Sequence, residues 1–125
     1  CGRIEKLEIF SKYKTADVLI IPSLWPEPFC MVQIEATQYA CATFVSNSAA
    51  GSLEFQKVLK SGETFVPEPD KLRKSIENFA DRKLIKNYIA AIPDNLEYFS
   101  LNRMEKEYLS IYNQMLEGQY EGINR

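Results

Sequence analysis

Histidine is absent from this 125-residue chain. Its absence removes Ser-His-Asp and Cys-His nucleophile arrangements and every zinc site that needs imidazole. Cysteine is scarce: three residues, Cys1, Cys30 and Cys41. They form no C-x-x-C pair and leave an odd thiol, which argues against a secreted disulfide framework and for a reducing, cytoplasmic setting. An excess of basic charge is also missing, since 15 Lys and Arg face 17 Asp and Glu for a net charge of −2. A nucleic-acid partner is not expected from that balance, because phosphate neutralisation needs a basic surface. Long apolar runs are lacking too. The longest strongly apolar one, Val18–Ile21, is far short of a bilayer span, and no charged-then-apolar leader opens the sequence. Whatever chemistry the chain supports must use carboxylates, backbone groups and phosphate, and no cofactor is expected beyond the substrate.

What is present is ordinary globular composition, 46% apolar and 26% charged, in a length that fits one domain or a piece of one. Ile4, Leu7, Phe10 and Tyr13 form a loose helical stripe, and Asp17–Ser23 follows as a solid apolar run closed by Pro22. A strand apolar on both faces belongs in a parallel sheet covered by helices. Pro28–Ala40 reads as a helix with Pro28 in its first turn, and Thr43–Ser46 as the next strand. Small residues at Asn47–Ser52 precede a helix stopped at Gly62, and Thr64–Pro69 holds a third brief strand. Asp70 is placed to cap a helix carrying Leu72, Ile76, Phe79 and Ala80, and another helix ends before Pro93. The last helix, Ser100–Leu116, lines up Leu101, Met104, Tyr108, Ile111 and Met115, and the chain frays after Gly118. The fold class is α/β: the C-terminal part of a Rossmann-like domain, a short parallel sheet with flanking helices, at 1–97, then a closing helix and tail at 98–125. Three strands fall short of the usual five or six, so the chain is expected to begin inside its domain, with a strand upstream.

The segment "WPEPFCMVQIE", Trp25 to Glu35, sits where ligands bind in such sheets, between a strand's carboxyl end and the next helix. With Pro28 at the helix start, the N–H groups of Phe29, Cys30 and Met31 have no intrahelical partners and make an anion site suited to phosphate. Glu27 and Glu35 are eight steps apart, about 12 Å if helical throughout. That exceeds the ~5 to 9.5 Å of paired carboxylates in glycoside hydrolysis. It suits two acids holding hydroxyls at opposite ends of an elongated ligand with a diphosphate between them, the layout of a nucleotide sugar. The plain alternative is a helix cap and surface charge. Trp25 either stacks on a base or sugar or covers the core edge, and Cys30 reads as a half-buried thiol without a base. "AAGS", Ala49–Ser52, is either phosphate-contacting backbone or a simple strand-to-helix turn. Acids Asp70, Glu77 and Asp81 interrupt the basic run Lys71, Arg73, Lys74, Arg82, Lys83 and Lys86, so it reads as a solvated face, and contact with a membrane surface has no further support.

"YKTADVLIIPSLWPEPFCMVQIEATQYA" resembles the E-x7-E region of retaining glycosyltransferases of the family 4, group 1 type, whose GT-B fold pairs two Rossmann domains. Weaker similarity extends through "TFVSNSAAGSLEF" and "TFVPEPDKLRKSIENFAD" to "FSLNRMEKEYLSIYNQML". The resemblance implies the second half of a C-terminal, donor-binding domain. It implies Glu27 as the catalytic acid contacting the donor sugar, Glu35 on the ribose, and Ser23, Phe29, Cys30, Met31 and Val32 around sugar and diphosphate. The donor substrate would be a nucleotide-diphosphate sugar bound without a metal; the acceptor would be a glycan, a lipid or a small molecule, received by an N-terminal domain absent from this sequence. Cys30 stands where the family usually has glycine, and its side chain would narrow the backbone's approach to the donor. An extra residue precedes Glu54, and the basic residues that neutralise the diphosphate lie upstream. The alternative function is a non-catalytic module that binds nucleotide sugar or a partner chain.

Overall fold

The computed structural model describes residues 2 and 4–117; Cys1 and the expected fraying after Gly118 lie outside them. The elements run α1 (Lys6–Thr15), β1 (Val18–Ile21), α2 (Met31–Gln38), β2 (Ala42–Ser46), α3 (Ala50–Leu59), β3 (Thr64–Phe65), α4 (Pro69–Asn78), α5 (Arg82–Leu96), a 3-10 turn at Glu97–Phe99, and α6 (Leu101–Leu116). The strands form one parallel sheet in the order β1-β2-β3, in register from Val18 opposite Ala42 to Ile21 opposite Val45, and with Val45 opposite Thr64.

Alternation along the strands builds two cores. Leu19, Ile21 and Val45 face α2 and α3 and pack with Cys30, Ile34, Ala49, Phe55 and Leu59. Val18, Ile20, Ala42, Phe44 and Phe65 face the other way, onto Leu72 of α4, Phe79 at its C-cap, and Ile85, Tyr88 and Ile89 of α5. β2 is buried along its whole length, as a central parallel strand should be. Phe44 meets Phe79 edge-on at 4.1 Å between ring centroids. A third cluster seats α1 on the edge of the sheet through Tyr13, Ala36 and Cys41.

Four boundaries differ from expectation. α4 begins at Pro69 with Glu68 as its uncapped N-cap; the proline is preorganised for the first helical position, and Asp70 acts on the dipole from inside the turn instead of capping it. α5 continues through Pro93, because Ile92 is buried and Asn95 Nδ2 donates to Leu59 O at 3.1 Å and Ala91 O at 2.8 Å. α3 starts at Ala50, within the small-residue cluster, and ends before Lys60, which takes the left-handed conformation at φ 51°. Gly62 is not the helix stop. It is a point of close approach, where a Cβ would collide with the Thr43 carbonyl. The fourth, the start of α2, bears on the site.

Tyr88 donates to Glu63 Oε1 at 2.6 Å, and burial together with that acid pushes its pKa up to about 12. The folded state therefore keeps a proton that the unfolded chain releases near pH 10. Stability from this phenol is fully present below pH ~10 and is lost as the pH rises toward 12. Melting temperatures measured between pH 9 and 11.5 should fall more steeply for the unsubstituted chain than for Tyr88→Phe. Parallel slopes would show that the phenol's ionisation is not linked to folding.

Candidate functional site

The loop from Pro22 to Cys30 leaves the carboxyl end of β1 and delivers the chain to α2. Gly51, in the first turn of α3, donates its N–H to the Glu27 carbonyl at 2.8 Å. That oxygen is the one the Met31 N–H would need if the helix began at Pro28, since an α-helix bonds i to i−4. Here it accepts from Gly51 and not from Met31, and α2 starts at Met31 with Cys30 as its N-cap and no side-chain cap. The Gln33 N–H turns back to the Cys30 carbonyl at 3.1 Å. The first helical amides are therefore those of Met31 and Val32, while the expected Phe29 and Cys30 N–H groups precede the helix and donate to no acceptor among the described residues. Neither the Met31 nor the Val32 N–H has an acceptor among the described residues, and Met31 and Val32 are exposed, at 54% and 39%. The positive end of the α2 dipole reaches solvent there.

Ser23, Glu27 and Cys30 come together beside it. The Ser23 hydroxyl donates to Glu27 Oε1 in a short hydrogen bond, which braces a half-buried carboxylate. Cys30 is 3% exposed and belongs to the core cluster of Ile21, Ile34, Val45 and Phe55. Its side chain therefore turns inward and does not narrow the approach to the helix tip, contrary to expectation. Burial raises the thiol's pKa; the Ser52 hydroxyl opposes that rise and the Glu27 carboxylate adds to it. Buried at the core and with its pKa raised, the Cys30 thiol is held protonated instead of being activated by the helix end.

Glu35 lies one turn further along α2, half-buried, with no hydrogen bond or ion pair among the described residues. Its charge acts on the Tyr13 hydroxyl of α1, whose pKa is raised by burial first and Glu35 second. Because Glu27 lies outside the helix, no helical ruler separates the two acids; one is on the loop and the other on α2. Phe29 is 56% exposed, with its ring edge-on to Phe55 at 4.8 Å. There it lines a separate groove of about 400 Å³ with Val58, Phe99 and Met104. Trp25 stands 69% exposed and covers no core edge. In "AAGS", the Gly51 amide is committed to Glu27 and Ser52 is buried, so this turn braces the loop instead of offering Gly51 to a phosphate.

A layer behind the loop escaped sequence reasoning. Gln33, Thr43, Gln56 and Ser61 are all buried and joined by hydrogen bonds. Polar residues at helical and strand spacing look solvated one at a time, and the one visible hint was a glutamine, Gln33, inside an otherwise buried helix face.

A three-stranded parallel sheet flanked by helices, with a loop and a helix N-terminus at the carboxyl end of β1, defines an α/β protein of Rossmann-like layering. Residues 1–94 match the family described as glycosyl transferases, group 1, and the chain belongs to that family. An uncharacterised glycosyltransferase of Methanocaldococcus jannaschii is 32% identical over 108 residues, which cover 84% of this chain and 27% of that protein. Sucrose-phosphate synthase from Thermosynechococcus elongatus superposes with a TM-score of 0.70 at 23% identity, over 94% of this chain and 30% of that one. The fold is accordingly that of part of a GT-B enzyme. The chain spans under a third of the length of either relative. Among the described residues, no helix is long and apolar enough to cross a membrane.

Proposed function

We propose that this chain is the donor-binding portion of a retaining glycosyltransferase that moves a sugar from a nucleotide-diphosphate sugar to an acceptor hydroxyl. The observation that carries the reading is the solvent-open tip of α2, with the N–H groups of Met31 and Val32 unpartnered among the described residues and Glu27 and Glu35 on either side along the chain. Membership of the group 1 family supports it. The diphosphate rests on the α2 tip, where oriented N–H groups offset charge as it grows on the leaving group. Glu27, braced by Ser23, accepts hydrogen bonds from the sugar's hydroxyls, and Glu35 accepts them from the ribose. The leaving phosphate takes the acceptor's proton. The scheme needs no metal on this chain, and the acceptor, a glycan, a lipid or a small molecule, binds on a further domain.

Calorimetry with a panel of nucleotide-diphosphate sugars tests the reading. One donor should bind with a Kd in the micromolar-to-millimolar range, tighter than its mononucleotide, because the mononucleotide has no diphosphate to place on the α2 tip. Absence of binding by every donor would refute it. Binding that persists without glycosyl transfer when the chain is tested within a longer protein carrying the acceptor domain would identify a binding module instead.

A further inference from the structure

Resting on the donor reading above, we infer that Gln33 is a positioning residue. Through a buried hydrogen-bond knot it fixes the first turn of α2, and with it the Met31 and Val32 amides, in the pose that receives the diphosphate. Gln33 is fully buried. Its Nε2 donates to Gln56 Oε1 at 2.8 Å and lies 3.4 Å from Thr43 Oγ1. Thr43 Oγ1 donates to the same Gln56 oxygen at 2.8 Å and pairs with Ser61 Oγ at 2.6 Å, while Gln56 Nε2 donates to the Thr43 carbonyl at 3.2 Å. The knot joins α2 to the centre of β2 and to α3.

α3 also supplies Gly51, whose N–H holds the Glu27 carbonyl. The segment between, Pro28–Val32, contains both open amides, so one helix pins it at each end: at Glu27 through Gly51, and at Gln33 through Gln56. A leucine or methionine at position 33 would fill the same space without desolvating an amide. Gln33 Oε1 has no partner among the described residues, so this side chain is a poor choice for stability alone. What the amide adds over an apolar group is direction: it permits one rotation and one height of α2 on the sheet. Donors fixed before the ligand arrives bind it without an ordering cost.

The test is Gln33→Met, which keeps the length and removes the polarity. In the ligand-free chain, ¹⁵N relaxation should show the order parameters of the Met31 and Val32 amides falling from a rigid value of about 0.85 toward 0.6, while β2 amides are unchanged. Pyrophosphate affinity should fall about tenfold. The melting temperature of Gln33→Met should hold or rise, since Gln56 Oε1 keeps its bond from Thr43 Oγ1 and the unpartnered Gln33 Oε1 is gone, while amide order and affinity fall, a separation that a merely structural role would not produce. Thr43→Val, which cuts the knot from the strand side, substitutes if Gln33→Met does not fold. Unchanged amide order in a folded variant overturns the inference. Failure of the unsubstituted chain to bind pyrophosphate overturns the donor reading instead, and the relaxation result is obtained without ligand.

Discussion

Gly51→Ala should cost the chain about 3 kcal/mol of stability, from roughly 1–3 kcal/mol of overpacking and about 1 kcal/mol for a strained hydrogen bond. A Cβ on Gly51 would stand 2.5 Å from the Pro28 carbonyl oxygen, 2.6 Å from that of Glu27 and 2.8 Å from the Pro28 carbonyl carbon. All three are backbone atoms of one loop, and no rotamer change relieves them. Either the loop or the helix must retreat, and either movement breaks the Gly51 N–H to Glu27 bond. The variant should therefore lose the site along with the stability: its urea midpoint drops, and whatever donor the unsubstituted chain binds is lost at temperatures where the core is still folded. Ala50→Ser, one residue earlier and exposed, is the control and should stay within about 0.5 kcal/mol. Equal midpoints for Gly51→Ala and the unsubstituted chain would mean that the loop yields freely and is not braced by α3.

The layer order was legible because it depends on local patterns. Val18–Ile21 and Thr43–Ser46 are apolar or small on both faces, which only a covered parallel sheet satisfies. α6 is the clearest amphipathic stripe and was placed almost to the residue. Where expectation missed, the deciding atom came from far along the chain. The Glu27 carbonyl that would open a helix at Pro28 accepts instead from Gly51, 24 positions later, and no window around Pro28 contains that contact. Pro93 stayed within α5 because Ile92 is buried and Asn95 donates to the distant Leu59 carbonyl. Gly62 looked like a helix stop because the constraint on it, the Thr43 carbonyl, is on another strand. The acids Glu27 and Glu35 and the idea of an open helix tip were available from sequence. Which amides form that tip, and the inward turn of Cys30, required packing.

Glu27→Gln should separate recognition of the sugar from recognition of the nucleotide. The substitution preserves volume and lets the Ser23 hydroxyl keep an acceptor, so the loop and the Gly51 bond to the Glu27 backbone should survive, with melting temperature nearly unchanged. What disappears is the negative charge that makes hydrogen bonds from sugar hydroxyls charge-assisted, each about twice as strong as a neutral one. Affinity for a nucleoside diphosphate without its sugar should stay within about twofold, because the proposed site holds the diphosphate on the α2 tip and not on Glu27. The advantage of the sugar-bearing donor should shrink by about 1.5–3 kcal/mol, roughly 10- to 150-fold in Kd. In a longer protein that performs transfer, the rate should fall by on the order of 10²–10³, the range for removing one group aimed at charge in the transition state. Glu35→Gln should behave in the opposite way, weakening the nucleoside diphosphate and its sugar conjugate alike, since a ribose contact is common to both. A Glu27→Gln protein that still prefers the sugar-bearing donor by the full margin would reduce Glu27 to a loop brace. The hydroxyl-binding role would then have to move to another group on the same rim.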